Sequence, residues 1–175
     1  MLLFAKRLHG GTRSLRGPDH RPGPRHGGIC FALLNRSRTN RENPDRMQCF
    51  FAGEMFESRG KPSTAGVVSF SIPDLDITFR AKFKGNAREC QYASLLALLE
   101  FVDLNPHLFK TRTLEFYSDS EMVVRYVNNS QLDMPSDLEP YRSMALTYRR
   151  KYPYLLSLVR AGNNPASGYR PQSDT

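Results

Sequence analysis

The sequence lacks an apolar run long enough to cross a membrane as a helix, because charged residues or prolines interrupt the longest candidates within about ten residues. It has only three cysteines, an odd number without C-x-x-C spacing: Cys30, Cys49 and Cys90. This usage indicates neither a disulfide framework nor a structural zinc site. We therefore expect no membrane partner and a reducing compartment, which in the plainest interpretation is the cytoplasm.

The 175 residues of the chain suit one domain. Their charge is unevenly distributed, with a formal net charge of +8. Residues 1–46 hold Lys6 and nine arginines against three acidic residues, so the rest of the chain is nearly neutral. A basic balance favours polyanion binding. Here it says little about the folded part.

Residues 1–46 are rich in Arg, Gly, Pro and His, and bury too little apolar surface to offset the ordering of their backbone. We predict a disordered basic tail there, a folded domain over residues 47–167 and a flexible tail over 168–175. The beginning, "MLLFAKRLHGGTRSLRG", is typical of an organelle transit peptide, which would place the protein in the mitochondrial matrix or another organelle. A solvated tail, or an upstream extension with translation starting at Met47, are the alternatives.

Three strand-like runs follow in close succession: "MQCFFAGEMF", "VVSFSI" and "ITFRAKFKG". Their short connections predict an antiparallel meander. In the third run apolar residues alternate with Thr78, Arg80, Lys82 and Lys84, so these four side chains are expected on one face. The three cations among them are either solvated or in contact with phosphates.

The second half alternates helices and strands. "NARECQYASLLALLEFVDLNP" predicts a central, heavily buried helix, and "TLEFYS" a fourth strand. The helices "SEMVVRYVNN" and "PSDLEPYRSMALTYRRKY" follow, the latter with a predicted capping box of Ser136 and Glu139, before a fifth strand, "YLLSLVR". Crossover helices predict parallel pairing. The expected fold is α/β, with a mixed five-stranded sheet of three antiparallel plus two parallel strands, and helices after strands 3 and 4.

Four segments in this order resemble the ribonuclease H superfamily, in its branch of reverse-transcriptase-like and ribonuclease H domains. They are the turn "ESRGKPSTAG", the helix "GNARECQYASLLALLE", the strand-to-helix joint "LEFYSDSEMVVRYVNN" and the terminal "VRAGNNPASGY". The resemblance covers residues 47 to about 167. It implies a ribonuclease H-like fold and, as partners, an RNA/DNA hybrid or RNA.

The family holds two magnesium ions with four carboxylates, and these ions drive phosphodiester hydrolysis. By resemblance, Glu89 and Asp119 match two of these ligands and are the candidate catalytic and metal-binding residues. The strand-one aspartate aligns with Met55 without gaps, or with Ala52 if a short insertion is allowed, and the terminal aspartate aligns with Ser167. The implied site is therefore degenerate.

Both matched carboxylates also have structural interpretations. Asn86 and Glu89 have the spacing of a capping box at a helix start, and Asp119 or Ser118 is placed to cap the next helix. Asn86 also matches a family position that contacts the hybrid. These alternatives remain open at the level of sequence.

Neighbouring residues complete the candidate site. Glu54 and Glu57 lie two residues beyond Ala52 and Met55 respectively, so either is a candidate substitute carboxylate, displaced by about 6 to 7 Å along the strand. Arg59 and Lys61 in the turn are candidate phosphate contacts.

Three functions follow from this pattern. The favoured hypothesis is a nucleic-acid-binding or interaction module with little or no nuclease activity and at most weak binding of one magnesium ion. The second is an active magnesium-dependent ribonuclease H that hydrolyses the RNA strand of RNA/DNA hybrids. The third is a purely structural interaction domain that does not bind nucleic acid. A protein partner or a second copy of the chain is a further candidate partner, because either could cover exposed apolar surface.

Overall fold

The computed structural model describes residues 45–56 and 64–168. Predictions for the tails and for the turn at 57–63 lie outside these residues. The strands are β1 Arg46–Met55, β2 Ala65–Ile72, β3 Ile77–Lys84, β4 Thr113–Ser118 and β5 Tyr154–Leu158. The helices are α1 Ala87–Leu104, α2 Pro106–Phe109, α3 Glu121–Asn128 and α4 Glu139–Lys151. Short 3₁₀ turns occupy Pro73–Leu75 and Ala161–Asn163.

The five strands form one sheet in the spatial order β3-β2-β1-β4-β5. β2 pairs antiparallel with β1 and β3, whereas β4 pairs parallel with β1 and β5. Short connections join the first three strands, and helices carry the chain back before β4 and β5, as parallel pairing requires. The predicted mixed sheet, with helices after strands 3 and 4, is confirmed.

Helix α1 is the centre of the core, as its composition predicted. Nine of its eighteen residues are buried. Leu95, Leu98 and Leu99 have no solvent exposure, and full burial of a side chain of this size contributes roughly 1.5–3 kcal/mol each. This burial fixes the middle of the helix against the sheet.

Gly53 sets the distance between β1 and α1. A Cβ atom at this position would lie 2.5 Å from the backbone carbon and oxygen of Cys90 and 2.6 Å from the amide nitrogen of Gln91. Only a hydrogen atom fits there, so glycine lets the strand touch the helix backbone. The first turn of α1 is thereby held beside the carboxyl end of β1.

The contact at Gly53 also shows which face of β1 lies against α1. Because side chains alternate along a strand, every second residue before Gly53 faces α1, and these residues are fully buried: Met47, Cys49 and Phe51. Phe50, Ala52 and Glu54 consequently point to the other face of the sheet. There Phe50 stacks on Tyr117 of β4, with ring centroids 5.2 Å apart.

The predicted capping box of Ser136 and Glu139 is wrong. Helix α4 begins at Glu139 after Leu138, which makes no side-chain capping hydrogen bond. Glu139 instead forms an ion pair with Arg142 at 2.6 Å, one turn into the helix. In the described part of the chain, no helix has both the length and the apolar character that a bilayer crossing requires.

Candidate functional site

Asp119 lies between β4 and α3, but it does not cap the helix. The N-cap is Ser120, whose Oγ accepts a hydrogen bond from the Val123 amide at 3.4 Å. The same hydroxyl donates to Oε1 of Gln91 on α1 at 2.8 Å. The prediction that Asp119 or Ser118 caps α3 is therefore wrong, and the Asp119 carboxylate is available for other contacts.

Both oxygens of Asp119 accept hydrogen bonds from the segment after β5. Oδ1 accepts from Nδ2 of Asn164 at 3.2 Å, and Oδ2 accepts from Oγ of Ser167 at 3.0 Å. Ser167 is the position that aligns with the terminal aspartate of the resemblance. A neutral hydroxyl thus donates to Asp119 where the family pattern has a second carboxylate.

The residues around these donors form a connected segment, residues 164–168, which we call the C-terminal clasp. Asn164 is buried, with 4% exposure, and its Nδ2 also donates to the Phe51 carbonyl of β1 at 3.0 Å. Its Oδ1 accepts from the Ala166 amide at 3.0 Å, and the Ala166 carbonyl accepts from Ser69 Oγ of β2 at 2.7 Å. The clasp therefore contacts β1, β2 and the residue that follows β4.

Glu54, a candidate substitute carboxylate, is bound to the same clasp. It is half-buried, and its Oε1 accepts from the Gly168 amide at 2.7 Å. Ser167 and Gly168 are consecutive, so the carboxylates of Asp119 and Glu54 hold neighbouring residues of one segment. Glu57, Arg59 and Lys61 lie outside the described residues.

The strand register distinguishes the two alignments of the strand-one position. Phe51 pairs with Ser118, so the next step along both parallel strands places Ala52 beside Asp119. Met55 lies three residues further along β1, opposite Gly66 of β2. Ala52 is therefore the residue next to Asp119, and it presents a buried methyl group there.

Glu89 forms the capping box that its spacing indicated. Its Oε2 accepts from the Asn86 amide at 2.9 Å, and Oδ1 of Asn86 accepts from the Glu89 amide at 2.9 Å. A Cβ atom at Gly85 would lie 2.6 Å from the same Oε2, so the carboxylate packs closely against this turn. This pair of bonds is sufficient to explain why a glutamate stands at the position.

Cys90 lies next to these groups without being a reactive centre. Its Sγ donates to the Val67 carbonyl at 3.4 Å and lies 3.8 Å from the Glu54 carbonyl. Burial raises the pKa of the Cys90 thiol to about 11. The thiol is therefore mainly in its neutral form near pH 7.

The donor set does not fit a two-ion site. Within the described residues, no group of three or more acidic, histidine or cysteine side chains is arranged to hold a metal ion. A two-metal clamp needs several carboxylates directed at one point. Beside Asp119 the structure places the methyl group of Ala52, and the hydrogen atoms donated by Asn164 and Ser167 point at the Asp119 carboxylate.

Two residues that organise the site, Asn164 and Ser120, have no recognisable signal in the sequence. Asn164 contacts Phe51 and Asp119, which are 113 and 45 positions away. No local pattern encodes such contacts. Ser120 is the third residue of "SDS", in which every residue type is a good cap. Ser120 is the N-cap because β4 ends at Ser118 and the helix begins at Glu121.

No protein-family model and no curated protein matches this sequence. Solved structures do match it. The structure of LC11-RNase H1 in complex with an RNA/DNA hybrid superposes with a TM-score of 0.55 and 14% identity, over 69% of this chain and 89% of that chain. LC11-RNase H1 is a protein isolated from compost by a metagenomic approach.

Two further solved structures have a similar fold. RNase H1 from the halophilic archaeon Halobacterium salinarum NRC-1 gives a TM-score of 0.52 and 20% identity, over 70% of this chain and 91% of that chain. The N-terminal RNase H domain of rv2228c from Mycobacterium tuberculosis gives 0.50 and 17%, over 67% and 86%. At these identities the likeness concerns architecture. The chain therefore has the ribonuclease H-like fold, as its four motif segments predicted.

Proposed function

We propose that this protein is a nucleic-acid-binding domain that retains the ribonuclease H-like fold with little or no hydrolytic activity. One observation carries the proposal: both oxygens of Asp119 accept hydrogen bonds from Asn164 and Ser167, and a methyl group lies beside them at Ala52. Hydrolysis by two metal ions needs carboxylates at these positions. The fold supports binding, because a structure of the same architecture is a complex with an RNA/DNA hybrid.

The distribution of charge on the sheet also supports a polyanionic partner. Arg80 of β3 pairs with Ser69 of β2, which pairs with Ala52 of β1, and Asp119 is next in this row. Side chains in such a row point to the same face. Lys82 and Lys84 are exposed and share the face of Arg80 on β3, and β3 lies three strand spacings from Asp119, or about 14 Å across the sheet. The three cations of β3 can contact the phosphates of a nucleic acid.

The N-terminus of α1 is the second candidate contact. Asn86 is exposed at the first turn, and its side chain already accepts the Glu89 amide. Its Nδ2 is a donor suited to the sugar or phosphate oxygens of a nucleic acid. The predicted phosphate contacts Arg59 and Lys61 belong to the same proposal.

Any binding of magnesium involves at most one ion and is weak. Asp119 and Glu89 are the residues that would take part, and each already accepts hydrogen bonds from the chain. An ion must compete with these donors, and magnesium gives up its water ligands reluctantly. Binding of nucleic acid is therefore expected to proceed without added magnesium.

The experiment measures binding and cleavage on the same full-length protein. Fluorescence anisotropy with a labelled RNA/DNA hybrid is expected to give saturable binding in EDTA, and gel analysis is expected to show intact RNA after incubation with magnesium. The variant Lys82→Glu/Lys84→Glu should bind several-fold more weakly with a shallower salt dependence, because two phosphate contacts are lost. The control Lys110→Glu/Arg112→Glu makes the same charge change just before the amino end of β4, whereas Asp119 follows the carboxyl end of that strand.

Two results would overturn the proposal. Hybrid affinity that responds equally to both double variants would mean that only net charge matters. RNA cleavage that requires magnesium and is abolished by Glu89→Gln and by Asp119→Asn would instead favour the alternative of an active ribonuclease H.

A further inference from the structure

We propose that the C-terminal clasp takes the structural place of metal ions, so that the strand ends are held together by the chain's own hydrogen-bond donors. The proposal is independent of whether the protein binds nucleic acid. It follows from a disagreement between the donor set at Asp119 and the metal chemistry that the fold implies.

The Asp119 carboxylate is surrounded by hydrogen-bond donors of the clasp. A carboxylate at the carboxyl end of a parallel strand, surrounded by buried groups, needs positive charge or hydrogen-bond donors to offset its lost hydration. Asn164 and Ser167 supply one donor to each oxygen, at 3.2 and 3.0 Å. Hydrogen bonds to a charged acceptor are stronger than those between neutral groups. The charge of Asp119 is thus compensated without a cation.

The clasp connects several strands along its path. Asn164 bridges Asp119 and the Phe51 carbonyl with a single amide group, and it is itself held by the Ala166 amide. Ser69 fixes the Ala166 carbonyl at 2.7 Å. These bonds join β1, β2 and the β4–α3 joint through one short segment. A bound ion that bridges ligands from separate strands would serve the same purpose.

Glu54 is a second carboxylate that contacts the clasp. Its Oε1 accepts the Gly168 amide at 2.7 Å, one residue after Ser167. The clasp therefore donates to two carboxylates from adjacent residues, because Ser167 donates to Asp119 and Gly168 donates to Glu54. Both carboxylates thus accept hydrogen bonds from the clasp, and a cation would have to displace them.

The test is thermal unfolding of the full-length protein, followed by circular dichroism, in EDTA and across a series of magnesium concentrations. A ligand that binds the native state raises the melting temperature with its concentration. For the natural sequence we expect the same melting temperature in EDTA and in magnesium. A melting temperature that rises with magnesium, and no longer does so in Asp119→Asn, would overturn the proposal.

Ser167→Ala removes one donor and should lower the melting temperature by several degrees, with no recovery in magnesium. Ser157→Ala is the matched control, because it deletes an exposed hydroxyl from the neighbouring strand β5. Equal melting temperatures for Ser167→Ala and the natural protein would contradict the proposal. Ser167→Thr keeps the hydroxyl and should retain most of the stability.

The converse variant introduces a metal site. Ala52→Asp/Ser167→Asp places carboxylates beside Asp119 at the two positions where the family pattern has them. We expect its melting temperature to be below that of the natural protein in EDTA and to rise with magnesium. If this variant does not fold in EDTA, recovery of its circular dichroism spectrum on adding magnesium gives the same answer. An unfolded protein at every magnesium concentration would contradict the proposed equivalence of clasp and metal.

Discussion

The hydroxyl of Ser167 donates to the carboxylate of Asp119 at 3.0 Å, although the two residues are 48 positions apart in the chain. This bond joins the joint between β4 and α3 to the segment after β5. It explains why an aspartate that does not cap a helix is still held in place. It also means that the side chains of Asp119 and Ser167 are joined directly, by a hydrogen bond.

The close contact between β1 and α1 makes Gly53 sensitive to any side chain. Gly53→Ala should lower the free energy of unfolding by about 1–3 kcal/mol, the usual cost of overpacking, because the new methyl group would overlap the Cys90 backbone. Denaturation by urea measures this change. Gly162→Ala is the control, since nothing lies within 4 Å of a Cβ atom there. A loss of equal size in both variants would contradict the packing explanation.

The capping box of α1 predicts different effects for its two partners. Asn86→Ala removes the acceptor for the Glu89 amide and should cost about 1 kcal/mol of unfolding free energy. Glu89→Gln keeps an oxygen that accepts the Asn86 amide, so the change should stay within about 0.5 kcal/mol. Urea denaturation of both variants in EDTA tests this order. A larger loss for Glu89→Gln would indicate that its charge has a further role.

Asp103 links the end of α1 to the end of α4 and predicts a dependence of stability on pH. Hydrogen bonds from Lys151 and from the Tyr152 hydroxyl, the latter at 2.6 Å, lower the pKa of the Asp103 carboxyl. A group whose pKa is lower in the folded state stabilises the fold above its unfolded pKa of about 3.9, and this contribution disappears as the pH falls through the folded value.

Asp103→Asn should therefore be less stable than the natural protein at pH 5 to 7, and the difference should shrink as the pH falls below about 4. Urea midpoints measured across this range test the prediction. Parallel curves over the whole range would show that the Asp103 ion pair does not contribute through its charge.

The burial of Cys90 predicts an unreactive thiol. Burial raises its pKa to about 11, and Sγ points at the Val67 carbonyl inside the protein. In the native protein at pH 8, iodoacetamide should leave Cys90 unmodified. In urea, the same reagent should alkylate Cys90. Peptide mapping by mass spectrometry identifies the site. Rapid modification of Cys90 in the folded protein would show that the contact between β1 and α1 opens readily.

Several elements could be predicted because their signals are local. The alternation of apolar and polar residues in "ITFRAKFKG" defines β3, and the apolar length of α1 makes it a buried helix whatever surrounds it. The capping box of Asn86 and Glu89 is also local, since both bonds span three residues. The box predicted for Ser136 had the same spacing but failed, because the helix begins at Glu139. Spacing alone does not place a helix start.

The candidate site depended on contacts that local patterns do not encode. The choice between Ala52 and Met55 required the register of β1 against β4, which hydrogen bonds across the sheet determine. The choice among the residues of "SDS" required the exact end of β4. Glu54 was a candidate by its spacing, but its partner is the amide of Gly168, 114 positions away.

The sequence by itself determined the order of strands and helices and the heavy burial of α1, because propensity, periodicity and capping act over a few neighbouring residues. Only the tertiary structure decided that Asp119 faces Ser167 and Asn164. Such contacts arise when separate strands reach the same edge of a sheet, and their register is set by the packing of the whole core.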